Sequence, residues 1–65
     1  MTKSQINRAL RLAYAGTTRQ RDALEDELGD SLTSILNEAW ADADDAGETA
    51  LAKRCERAFN HLTGE

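Results

Sequence analysis

Apolar positions recur at helical spacing along almost the whole chain. At about 100° per residue, Ile6, Leu10 and Ala13 share one side of a first helix, with Lys3, Asn7, Arg8 and Arg11 on the other. Thr2 and Gln5 have the spacing of a capping box, in which each side chain takes up the other residue's free N–H, so this helix is predicted over about residues 3–15. Gly16 suits the left-handed position that closes a helix. Thr17 with Gln20 repeats the capping spacing, which starts a second helix near residue 18.

From there Leu24, Leu28, Leu32, Ile35, Leu36, Ala39 and Ala43 stay on one stripe in steps of three or four. The segment ALEDELGDSL, residues 23–32, contains a Gly-Asp-Ser that reads alone as a turn, yet the leucine register runs through it. Glycine inside a helix costs about 1 kcal/mol relative to alanine. Burial of each large aliphatic on the stripe contributes roughly 1.5–3 kcal/mol, enough to offset that cost. The phase therefore predicts one long helix over about 18–45, with a hairpin break at 29–31 as the rival. Beyond residue 46, Leu51, Cys55, Ala58, Phe59 and Leu62 form an apolar face rotated well away from the preceding one, so a break is required. Asp45 as N-cap with Glu48, around Gly47, supplies it, and a third helix runs from about 47 to 62, ending before Gly64.

Composition agrees with an all-α fold in a single domain over residues 1–65. Of 26 apolar residues 11 are alanine, valine is absent, and Ile6 and Ile35 are the only β-branched aliphatics, which disfavours a sheet. With one Trp, one Tyr and one Phe the core is thin, so the three helices are expected to be completed as a helical-bundle homodimer through the Leu/Ile/Ala stripe and Trp40. Cys55 is the only cysteine and lies on the apolar face of the last helix, which reads as a core thiol in a reducing, cytoplasmic setting. The most apolar early run, ALRLAYA, is too short to cross a bilayer, so no membrane partner is expected.

Charge changes the picture more than composition does. The net charge is −4, but residues 1–21 carry Lys3, Arg8, Arg11, Arg19 and Arg21 with no acid, whereas residues 22–48 carry ten acids and no base. Lys3, Arg8, Arg11 and Arg19, with Tyr14 at the edge of the face, make a candidate RNA or DNA surface, since phosphates need clustered cations and an aromatic can stack on a base. The alternative is that these cations pair with the acidic second helix, within the chain or across a dimer. The outward row Asn37, Glu38, Asp44, Asp45 and Glu48 offers a third possibility, a protein partner that itself binds nucleic acid.

On a continuous helix Glu27 and Asp30, at i and i+3, project from the same side and form a candidate Mg²⁺ pair, because magnesium takes oxygen ligands. DELGDSL (residues 26–32) and GETALAKRCERAF (47–59) resemble consecutive segments of the MazG-like all-α nucleotide pyrophosphohydrolases, over roughly residues 22–60. The resemblance implies an unbroken helix through the first segment, with Glu27 and Asp30 binding magnesium. It also implies an upstream Glu-x-x-Glu pair, where this chain offers Arg8 and Arg11, cations that repel a metal. Such kinship implies a shortened, inactive relative or a scaffold kept for association. In size and pattern, and in its opening MTK, the chain is also similar to the Rop-like RNA-binding hairpin dimers.

Other motifs fail on chemistry. DADDAG begins like a calcium loop, but Ala46 and Lys53 stand where the loop needs ligands. His61 has no metal-binding companion at helical spacing, and no Ser/His/Asp arrangement or phosphate-binding Gly loop is present. The balance falls against catalysis and cofactors. The expectation is a small interaction module for a protein or nucleic-acid partner, with a magnesium-dependent pyrophosphohydrolase and a Rop-like RNA binder as alternatives.

Overall fold

Hydroxyl side chains begin three of the helices. The computed structural model describes residues 1–64, which form α1 (Lys3–Ala15), α2 (Thr18–Leu28), α3 (Leu32–Asp45) and α4 (Thr49–Thr63), with no strand among the described residues. Thr2 Oγ1 accepts the Gln5 N–H at 3.1 Å while Gln5 Oε1 accepts the Thr2 N–H at 2.9 Å. Thr17 and Gln20 repeat this reciprocal box at 3.2 and 3.0 Å. Both predicted starts are thus realised by the residues that signalled them.

The helix expected over 18–45 is two helices. Gly29 adopts φ 73° and ψ 24°, a left-handed conformation that ends α2. The N–H groups of Gly29 and Asp30 both donate to the Glu25 carbonyl, at 2.8 and 3.2 Å. Ser31 then opens α3, its Oγ accepting the Ser34 N–H, and the Glu25 carboxylate accepts the N–H of Leu32. The break satisfies backbone groups at both new helix ends, which offsets the intrahelical bonds it forgoes. The leucine register survives because periodicity records only phase, and this short capped turn delivers Leu24 and Leu32 to the same core. The unbroken segment implied by the MazG-like resemblance is therefore interrupted at Gly29.

Two caps also differ from expectation. Asp45 closes α3 rather than capping α4, whose N-cap position is Glu48, without a side-chain capping bond. Between them Gly47 is left-handed at φ 74°, and the Glu48 N–H returns to the Ala43 carbonyl at 2.9 Å, so the α3 terminus is closed by backbone alone. Gly16 is extended, at φ −76° and ψ 143°, not left-handed. Its requirement is steric: a Cβ there would lie 2.6 Å from the Leu12 carbonyl oxygen and 2.8 Å from the Leu12 Cα.

α3 and α4 make the most extensive pairing, α1 packs against both, and α2 packs on α3 and α1. Leu24, Ile35, Leu36 and Cys55 are fully buried, joined by Ile6, Leu10 and Leu12 from α1, and no charged or polar side chain is buried among the described residues. The stripe assigned to a dimer seam is thus covered by the chain's own helices, with Trp40 half-buried against the same core. The accessible surface, 4173 Å², is close to the about 4100 Å² that mass scaling gives for a folded monomer of this size. The radius of gyration, 10.7 Å, likewise matches the value of about 10.7 Å for a single compact domain of this length. No described helix is long and apolar enough to cross a membrane.

Candidate functional site

Two polar rows meet where α1 packs on α4. On α1 Asn7, Arg11 and Tyr14 follow at i, i+4 and i+7; on α4 Arg54, Arg57 and His61 follow at i, i+3 and i+7, so each set lies along one side of its helix. The helices leave a groove of about 300 Å³ between them, lined by Asn7, Leu10, Arg11, Tyr14, Arg54 and Arg57. Leu10 belongs to the buried core, so the groove stands on a packed base. A neighbouring cavity of about 450 Å³ shares Asn7 and Arg54 and continues toward Lys3 and Glu48. At the opposite end Tyr14 is 54% exposed, and its ring centroid lies 4.8 Å from that of His61 with the planes inclined at 35°.

The groove is cationic by local arrangement, not by net charge. Among the described residues the ion pairs are Lys3 Nζ with Glu48 Oε1 at 2.9 Å, and Arg8 with Glu27. Arg11, Arg54 and Arg57 are exposed and enter neither pair. Hydrogen bonding to Glu48, reinforced by its charge, holds the Lys3 ammonium above the ordinary lysine range.

The sequence-predicted residues divide accordingly. Arg11 lines the groove, and Lys3 lines the adjoining cavity, bound to Glu48. Arg8 is engaged by an acid of α2 within the chain, and Arg19 sits exposed in the first turn of α2, outside the groove lining. Arg21 has a different use: its Nε and Nη2 donate to the Leu12 and Ala13 carbonyls at 2.8 and 3.0 Å, capping the C-terminus of α1. Arg54 and Arg57 were not expected at the site. Their i, i+3 spacing on one face of α4 was visible in the chain, but nothing local says that this face borders α1.

Glu27 and Asp30 are not held on a common helix. Glu27 lies in α2 with its carboxylate on Arg8, whereas Asp30 lies in the turn, where its Oδ1 accepts the Ser31 N–H at 3.1 Å. Among the described residues no group of three His, Cys, Asp or Glu side chains is placed to hold a metal ion. The donor set of a magnesium cage is therefore incomplete here. Cys55 is fully buried and burial pushes its thiol up, the environment of an inert core cysteine.

The α2–turn–α3 unit has the outline of a helix-turn-helix, but residues 22–48 contain no cation, and Asn37, Glu38, Asp42 and Asp44 stand exposed on α3. A helix entering a DNA groove with that surface sets carboxylates against phosphates. Charge thus separates an acidic α2–α3 side from the cationic α1–α4 groove. Comparison with protein-family models, with curated proteins and with solved structures gave no match to this chain.

Proposed function

We propose that this protein is a small non-catalytic interaction module that binds nucleic acid through the groove between α1 and α4. The observation that carries the reading is the convergence of Arg11, Arg54 and Arg57, none of them paired with a carboxylate among the described residues, on one groove beside an exposed tyrosine. Guanidinium groups match phosphate geometry with planar, bidentate donors, and a cluster of three gives a polyanion more than one anchoring point. The acidic side of the molecule adds orientation, since it repels phosphate and leaves one face able to dock. Lys3 extends the cationic track if it exchanges Glu48 for phosphate, and Arg8 joins only by giving up Glu27.

The test is titration of fluorescently labelled oligonucleotides, single- and double-stranded, at rising salt. Three phosphate contacts predict a loss of affinity of roughly 20- to 40-fold for a fourfold rise in salt. Reversal of charge in Arg54→Glu/Arg57→Glu abolishes binding, while Arg19→Glu, outside the groove, has a smaller effect. Affinity that does not change with salt removes this reading.

A magnesium-dependent pyrophosphohydrolase has less in its favour, because its two matching carboxylates are occupied by Arg8 and by the turn. Release of pyrophosphate from nucleoside triphosphates with Mg²⁺ would revive it. A homodimer, which would have to use surfaces other than the leucine stripe, is not needed to complete the core, and a reducing, cytoplasmic setting suits the lone buried thiol.

A further inference from the structure

Resting on the nucleic-acid reading of the same groove, we infer that its ligand is a single strand, with an unstacked base laid against Tyr14 and His61 and the flanking phosphates held by Arg11, Arg54 and Arg57. Shape is the first argument. A duplex groove is read by a convex element such as a helix or hairpin that enters it. Here the cations instead line a concave cleft of about 300 Å³ between two helices, the form that accepts a narrow strand.

The aromatic pair is the second argument, independent of charge. Tyr14 leaves 54% of its surface exposed near the end of α1, a large aromatic presented to solvent at the rim of the groove. Its partner His61 is also exposed and is inclined to it by 35° at 4.8 Å, so the two rings meet as a tilted pair and both keep exposed surface. Base faces stack on such platforms irrespective of sequence, and the paired bases of a duplex cannot reach one without unstacking. Tyr14 also lines the groove that holds Arg11 and Arg57, which places the ring beside the backbone-binding cations.

The inference is tested by fluorescence anisotropy on the full chain with labelled oligo-dT and oligo-U of about 12 nucleotides, a length within the range such grooves cover, and with mixed-sequence duplexes of DNA and RNA of the same length. Single strands are expected to bind at least about tenfold more tightly than duplexes, and the dT and U arms show whether the sugar is discriminated. Loss of the ring in Tyr14→Ala is expected to weaken single-strand binding by roughly 5- to 150-fold, with Tyr14→Phe restoring it, because the stacking surface and not the hydroxyl is used. Tyr14 is outside the core, and an unchanged circular-dichroism melt of each variant verifies that the fold is kept.

Duplex binding equal to or tighter than single-strand binding, with Tyr14→Ala neutral, overturns this inference and leaves the nucleic-acid reading standing. Absence of binding to every oligonucleotide by the folded protein overturns both. Tighter binding of poly-Glu than of any oligonucleotide assigns the groove to acidic proteins and likewise overturns both.

Discussion

Arg21 sits in a run of cations that reads as surface charge, yet its guanidinium is half-buried and closes the end of α1 by bonding two of its carbonyls. A charge-assisted cap of this kind contributes about 1–3 kcal/mol. Arg21→Met keeps the aliphatic stem and loses the donors, and is expected to lower unfolding free energy by that amount in a urea titration. Gly16 is constrained by the same helix end. Gly16→Ala forces a Cβ into the Leu12 backbone and is expected to cost about 1–3 kcal/mol, read as a fall in melting temperature. Cys55 adds a pH dependence. Its folded pKa is raised by burial, so the folded state resists ionisation. Stability is undiminished by this group below the ordinary thiol value of about 9.0, and falls as pH climbs from there through the raised folded value. Melting curves above pH 9.0 should decline more steeply for the native chain than for Cys55→Ala, and native protein should resist thiol alkylation until it unfolds.

Gly29 decides the number of elements. Because it is left-handed with φ 73°, Gly29→Ala is expected to destabilise the protein by about 1–2 kcal/mol. In a continuous helix the same change would stabilise by about 1 kcal/mol, so the sign of the change in melting temperature distinguishes the two arrangements. The helix starts at Thr2 and Thr17 were legible because capping bonds join residues three apart, and so was the end of the last helix before Gly64, which the structure shows to be left-handed. The stop at Gly29 was illegible to periodicity, since leucines spaced by four keep their phase whether the chain coils on or turns through a cap. The signal that resolves it is chemical: Glu25 accepts the Leu32 N–H across the turn, a contact between residues seven apart that no local spacing rule contains.

Across the whole molecule, the core is completed inside the chain, with Leu24, Ile35 and Leu36 fully covered. A single-chain fold of this kind is expected to melt at a temperature independent of protein concentration over a roughly hundredfold range. A midpoint that rises with concentration would show that association supplies part of the stability. The separation of charge was fully legible as linear blocks, but its spatial meaning was not. Ion pairing draws Lys3 and Arg8 toward acids of other segments, while packing of α1 on α4 adds Arg54 and Arg57 to Arg11. The site therefore shares Arg11 and the neighbouring Lys3 with the linear reading and takes its other arginines from the far end of the chain.

What the chain determined alone was local: helical class from alanine-rich, valine-free composition, helix starts from hydroxyl caps, and a buried thiol from its place on an apolar face. These rest on interactions between residues three or four apart, which a linear reading contains in full. Tertiary structure alone decided which acids neutralise which cations, that the leucine stripe faces the chain's own helices, and that two basic rows border one groove. Those outcomes depend on how helices turn and pack, and the energies that choose among packings come from contacts between residues distant in the chain.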